Sequence, residues 1–179
     1  IDKIPFIAIS IIFGLIAIIF VRNKRTWFFM GLGAFALVYA LGRPEGVAAY
    51  TRRTRPDQDS LADNCLAVFE YPKATGTIRS ALLEVEGFRR RQFVVCGDEG
   101  TVDIRPLEPP KLLLALAKAR DPYRRGYQEV ELPPMPGRYD DQLLDLARII
   151  RGEKENEFPY SHDLAVHEAI LRASGLPTD

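Results

Sequence analysis

The charged residues of this 179-residue chain are distributed very unevenly, and that distribution constrains its fold more than any other feature. Residues 1–42 carry five charged side chains, and all the others of the 24 Lys+Arg and 24 Asp+Glu follow them. The pattern predicts a hydrophobic membrane anchor over residues 1–42, joined to a charged domain over residues 43–179. The second part has the ordinary length of one domain, about 100–150 residues.

The first part of the expected anchor is an uncharged run over residues 4–21, IPFIAISIIFGLIAIIFV. As a helix this run would be about 27 Å long, close to the ~30 Å hydrocarbon core of a bilayer. Arg22, Lys24 and Arg25 follow it and are candidate membrane-interface residues at the headgroup boundary. A signal peptide would carry its basic residues before the apolar run, so a transmembrane helix is favoured. A buried core helix is the alternative.

A second apolar run over residues 26–41 has a marginal length for crossing a membrane. Trp27 and Tyr39 lie near its ends, where aromatic side chains serve as interfacial anchors. Gly31 and Gly33 would let a neighbouring helix approach closely, which favours a hairpin of two spans. The alternative is a core helix of the following domain.

The basic residues near the spans predict the orientation of the chain in the membrane. Arg43, Arg52, Arg53 and Arg55 follow the hydrophobic region, on the side of the charged domain. With one span or with two, more Lys and Arg lie on that side than on the other, which predicts a cytoplasmic domain.

The composition also excludes several classes of protein. The net charge of zero argues against nucleic-acid binding, which usually needs a basic excess. Cys65 and Cys96 are too few for a disulfide framework or a four-thiolate metal site. His162 and His167 are five positions apart, about 140° around a helix, so they cannot share a face as metal ligands.

Residues 46–132 predict a succession of strands separated by Gly and Pro. Two helices are expected after them, one over residues 140–151 and one that begins at Ser161 and ends at Gly175. Strands followed by helices predict an α+β fold with an open, mostly antiparallel or mixed sheet.

One glycine pattern invites a nucleotide-binding interpretation. Residues 31–36, GLGAFA, fit the G-x-G-x-x-G/A pattern of dinucleotide-binding loops. Small residues also allow close packing of apolar helices. The strands that follow come in succession, without the alternating helices of a βαβ unit. Helix packing is therefore the favoured interpretation, and no cofactor-binding residue is predicted.

Four stretches of the chain resemble a known protein family. They are LGRPEGVAAYTRRT, DSLADNCLAVFEYPKATGTIRSALLEVEG, RRQFVVCGDEGTVDIRPLEPP and DLARIIRGEKENEFPYSHDLAVHEAILRASG. Together they resemble the C-terminal domain of the Gfo/Idh/MocA oxidoreductases, from about Leu41 to Gly175. The resemblance implies an open sheet flanked by helices that supplies substrate contacts and the oligomer interface. In that family a separate Rossmann domain binds NAD(P).

The sequence departs from the family where the family performs its chemistry. No Rossmann domain precedes this domain in the sequence. The family's G-x-H-x-x-D signature, counted back from Gly42, places its His at Leu32 and its Asp at Phe35. Neither a leucine nor a phenylalanine can transfer a proton, so no catalytic residue is predicted. Tyr160 and His162 lie where the resembling enzymes face their substrate and are candidate residues of a vestigial substrate cleft.

These observations favour a membrane-anchored, non-catalytic structural or assembly subunit, a pseudoenzyme built on an oxidoreductase-like domain. Its expected partners are the membrane, other membrane-protein subunits and a second copy bound through the sheet. The alternative is a fragment or subunit of an NAD(P)-dependent oxidoreductase whose Rossmann domain lies elsewhere. Only this alternative implies a cofactor.

Overall fold

The structure, a computed structural model, describes residues 24–58, 62–133 and 140–178. Within its first helix the side chains are described from Gly31 onward, except that of Leu32. The first candidate span, residues 4–21, and Arg22 lie outside the described residues.

The chain forms three α-helices, seven strands and one short 3-10 helix in the described ranges. In chain order they are α1 (Lys24–Leu41), β1 (Gly46–Arg52), β2 (Asn64–Tyr71), β3 (Ala74–Ala81), the 3-10 helix (Gly87–Arg90), β4 (Phe93–Cys96), β5 (Gly100–Leu107), β6 (Pro110–Leu116), β7 (Gly126–Val130), α2 (Asp140–Ile150) and α3 (Tyr160–Ala173). Strands followed by helices confirm the predicted α+β class.

The strands belong to two antiparallel sheets rather than the one open sheet that was expected. The first sheet has the order β1-β2-β3 and the second the order β4-β5-β6-β7. The chain divides accordingly into two compact units. We call residues 1–83 and 145–179 the helix-backed unit and residues 84–144 the open-sheet unit; α2 crosses this division.

In the helix-backed unit, alternation along each strand directs one set of side chains toward α1 and α3. Cys65, Ala67 and Phe69 alternate with outward-facing residues on β2, and Gly76, Ile78 and Ser80 do so on β3. The core joins Phe69, which is fully buried, with residues of both helices. Its other buried members are Ala34, Val38, Ala67, Ile78, Ala165, Val166, Ala169 and Ala173.

Glycines allow α1 to approach the sheet closely. A Cβ on Gly33 would lie 2.9 Å from three side-chain atoms of Ile78, and a Cβ on Gly76 would lie 2.7 Å from Leu37. Gly31 has more room, because its Cβ would lie 3.7 Å from Ile170. The favoured interpretation of the glycine pattern, helix packing, therefore accounts for Gly33.

This packing corrects the predicted second span, residues 26–41. No helix within the described ranges is both long and apolar enough to cross a membrane. The small residues that suggested a helical hairpin instead bring α1 against β3 and α3, so the alternative of a core helix is the correct one. The packed core therefore begins before residue 43, where the sequence suggested that the domain starts.

A buried carboxylate organises the loop that follows β1. Asp63, only 2% exposed, accepts hydrogen bonds from the backbone N–H of Thr54 (3.0 Å) and from its hydroxyl (2.6 Å). These bonds, chiefly the one from the Thr54 hydroxyl, lower the pKa of Asp63 despite its burial. Arg55 lies 3.9 Å from the same carboxylate.

The open-sheet unit is built differently, because none of its described residues is buried. Its register aligns Phe93 with Ile104, Leu112 and Val130 across all four strands. The next position on the same side aligns Val95, Val102 and Leu114 with Gln128. We call this side the apolar face; its members are Phe93, Val95, Val102, Ile104, Leu112, Leu114, Leu116 and Val130. The opposite face mixes apolar, polar and charged side chains.

Candidate functional site

The structure brings four aromatic side chains together where the end of α1 meets the start of α3. The imidazole of His162 lies 5.2 Å, centroid to centroid, from the rings of both Phe35 and Phe158. It lies 6.5 Å from the ring of Tyr39. We call Phe35, Tyr39, Phe158 and His162 the aromatic cluster.

Helical spacing and a short loop position these rings. Phe35 and Tyr39 are four residues apart on α1, so they share one face of the helix. Their ring planes are nearly parallel, with an angle of 2° and a centroid distance of 6.3 Å. Phe158 precedes α3 and is held by Asn156, whose side chain accepts from the Phe158 N–H (3.1 Å) and donates to its carbonyl (2.8 Å).

The cluster joins residues that the sequence analysis singled out for different reasons. Phe35, which the sequence analysis counted to the aspartate position of the family signature, packs on His162, a predicted vestigial cleft residue. Tyr39, a candidate membrane-interface residue, belongs to the same cluster. Phe158 was not predicted as a site residue. Its position four residues before His162 was the sequence feature that could have indicated it.

The other predicted site residues either lie apart from the aromatic cluster or have side chains that the structure does not describe. Tyr160 begins α3, is 64% exposed and makes none of the cluster's ring contacts. Lys24, Arg25 and Trp27 lie in the first turn of α1, and their side chains are not described. Leu32 lies one turn before Phe35 on α1.

The polar atoms around the cluster are unusual in two respects. The Nε2 atom of His162 is buried and has no hydrogen-bond partner. Burial raises the pKa of the neighbouring Asp163 carboxyl, while the charges of His162 and His167 act in the opposite direction.

Among the described residues, no group of three or more His, Cys, Asp or Glu side chains could hold a metal ion.

An ion-pair network holds the start of β1 against α3. The Arg43 guanidinium pairs with Glu168, and Arg172 lies 3.6 Å from the same carboxylate. Arg172 also donates to the carbonyl of Glu45 (3.3 Å). Arg43 follows Tyr39 by four residues, so the network links the α1–β1 connection to α3.

The fold of this chain is similar to part of several solved oxidoreductase structures. A protein from Klebsiella pneumoniae described as an oxidoreductase matches with a TM-score of 0.62 at 18% identity, over 81% of this chain and 45% of its own. A similar protein from Yersinia pestis matches with a TM-score of 0.57 at 18% identity, over 79% and 44%. A levoglucosan dehydrogenase, solved with NADH and levoglucosan, matches with a TM-score of 0.58 at 15% identity, over 79% and 45%.

These matches concern the fold. The chain spans less than half the length of these solved structures. No family profile and no curated protein matches the sequence. The matches to solved structures support an oxidoreductase-like fold, which is the coarser part of the predicted resemblance.

Proposed function

We propose that this chain is the C-terminal-domain-like portion of an NAD(P)-dependent oxidoreductase. The dinucleotide-binding domain would come from another part of the same polypeptide or from a second chain. One observation carries this proposal: the chain matches along about four fifths of its length, yet covers only about 45% of the oxidoreductases it matches. The matched solved structures include a dehydrogenase with bound NADH.

Within such an enzyme this portion would contribute substrate contacts and assembly rather than proton transfer. Phe35 and Leu32 stand where the resembling family carries its acid–base residues, and neither side chain can exchange a proton. Phe35 packs instead against the imidazole of His162. The aromatic cluster is therefore the proposed substrate-facing part of the chain.

The apolar face of the open-sheet unit is the proposed contact with a second copy of the chain. Eight apolar side chains lie on one side of four strands, and none of them is buried. Seven of these side chains are partly buried and Val95 is 47% exposed, and a contiguous apolar surface that stays accessible marks an interaction site. A second copy offers an identical face, which is the usual geometry of a twofold interface.

Membrane attachment is a separate proposal and depends on residues 4–21 alone. That run is uncharged and long enough for one helical span. Extraction of native membranes with alkaline carbonate tests it directly. Retention of the chain in the pellet supports an integral anchor, and its release into the supernatant contradicts one.

The composition of the natural particle tests the proposed function. The particle would be captured from its native source through an antibody against residues 140–178 and analysed by intact and peptide mass spectrometry. We expect a dinucleotide-binding domain in the same polypeptide or in a stoichiometric partner. A particle with membrane-protein partners and no such domain would contradict the proposal and favour a membrane assembly subunit.

A further inference from the structure

The helix α2 presents its most apolar side to solvent. None of its 11 residues is buried. Leu143, Leu144 and Ile150 are 63%, 57% and 53% exposed. Together with Ala147 they lie within about 120° of arc, because each residue advances a helix by about 100°. We call these four residues the α2 stripe. Large apolar side chains on one exposed side of an amphipathic helix mark an interaction surface.

The opposite side of α2 is the side that the fold holds. Leu146 and Ile149 lie there and are partly buried. Asp145 also lies there and accepts a hydrogen bond from Nζ of Lys154 (2.6 Å). The same ammonium group lies 2.9 Å from the carboxylate of Glu157. These contacts anchor α2 to the connection that follows it, so the α2 stripe belongs to a helix that is fixed on its other side.

The two ends of the α2 stripe carry opposite charges. Asp140 begins α2 and Arg151 follows it by three helical turns, so both lie on the side of the stripe. Both are exposed, and neither forms an ion pair with a described residue. On one flank Asp141 and Arg148 repeat this order, and Arg148 also lies 3.8 Å from Asp145. The order suits the helix dipole, but the dipole does not account for the exposed apolar side chains between the charges.

These features are self-complementary when two copies of α2 lie antiparallel. A twofold axis that places Asp140 of one copy opposite Arg151 of the second copy also places Leu144 opposite Ala147. The small side chain of Ala147 would let the two helices approach closely at the centre of the contact. The outer apolar side chains of the α2 stripe would extend the contact on either side. The same surface then serves both copies, as a twofold interface requires.

We propose that α2 is a second contact between copies of this chain, an antiparallel helix pair separate from the apolar face of the open-sheet unit. The match between the acidic and basic ends of the α2 stripe favours a second copy as its occupant. A helix of 11 residues is only about 16 Å long, so the contact is smaller than the roughly 800 Å² per partner of a stable interface. We therefore expect it to join dimers into tetramers at hundreds of micromolar, and not to hold two copies together at micromolar concentration. This inference goes beyond the proposed function and does not depend on it.

Sedimentation equilibrium of the complete particle, from micromolar to hundreds of micromolar, measures this association. Leu144→Lys places a charge in the contact and should lower the association constant at least tenfold. Gln142→Lys is the matched control, because it adds the same charge on the opposite side of α2 and should leave the constant unchanged. Both side chains are exposed, so both variants should fold. In a Leu114→Lys background, which tests the apolar face, α2 should still join monomers into dimers at hundreds of micromolar.

Reversal of the end charges tests the antiparallel arrangement. Asp140→Arg and Arg151→Asp each place like charges opposite one another and should weaken association about tenfold. The double variant restores opposite charges across the contact and should recover the original constant to within about threefold. A stripe covered by another domain, such as a dinucleotide-binding domain, predicts no such recovery. No association at hundreds of micromolar, equal effects of Leu144→Lys and Gln142→Lys, or a double variant as weak as the single ones would each overturn the inference.

Discussion

The two sheets of this chain have similar antiparallel strands but differ in how deeply their side chains are buried. In the helix-backed unit, α1 and α3 cover one side of the sheet, and Phe69 is fully buried. In the open-sheet unit the apolar face has no buried member. The strands of both sheets follow from the same alternation rule, so the strands alone do not determine what covers a sheet. The open-sheet unit contains the apolar face that we propose as the contact with a second copy of the chain.

The largest expected effect comes from truncating the same residue type in each sheet. Phe69→Ala opens a cavity in a closed core and should lower the free energy of unfolding by about 3–5 kcal/mol. Phe93→Ala, on the partly exposed apolar face, should cost about 1–2 kcal/mol, in proportion to its smaller burial. Urea unfolding of the full chain measures both. Equal losses would mean that the two sheets are buried alike.

The next prediction concerns the apolar face as a contact with a second copy. Leu114→Lys introduces a charge on that face and should convert a dimer to a monomer in sedimentation at micromolar concentration. Leu113→Lys is the matched control, because its side chain points to the opposite face of the same strand. An unmodified chain that is already monomeric, or a dimer that Leu114→Lys leaves intact, would contradict the proposed interface.

A pair of glycine substitutions tests how closely α1 packs on its sheet. Gly31→Ala adds a methyl group with ordinary van der Waals room, so it should stabilise the helix by up to about 1 kcal/mol. Gly33→Ala gains the same helix propensity but forces its Cβ against the stiff, β-branched side chain of Ile78. We expect Gly33→Ala to be less stable than Gly31→Ala by about 1–3 kcal/mol. Thermal unfolding of both variants measures the difference.

The smallest expected effect is a pH dependence that originates at Asp63. Because its pKa is lowered in the folded chain, its stabilising contribution is present above the unfolded value near 3.8 and is lost as the pH falls through the folded value. Thr54→Val removes the hydroxyl donor and should flatten the fall in the free energy of unfolding between pH 5 and pH 2. A slope unchanged by Thr54→Val would show that this hydroxyl does not lower the pKa.

The strands and helices of the charged part could be predicted from local pattern. Alternation and Gly or Pro punctuation predicted a succession of strands over residues 46–132, and the structure has seven strands between Gly46 and Val130.

Tertiary packing could not be predicted in the same way. An apolar helix with small residues suits a membrane hairpin or a packed core equally, so α1 could be assigned only once Ile78 and Ile170 were seen beside it. The aromatic cluster joins α1 to α3 across more than a hundred residues, and no local pattern predicts that contact. The division into two sheets likewise depends on pairings that alternation does not specify.

Binding of NAD(P)H to the natural particle tests the proposed oxidoreductase role most directly. Titration with NADH and NADPH, followed by the change in nicotinamide fluorescence, gives the affinity and the number of sites per copy of this chain. We expect one nicotinamide nucleotide per copy, held by the dinucleotide-binding domain. A complete particle that binds neither nucleotide at millimolar concentration would contradict the proposed oxidoreductase function.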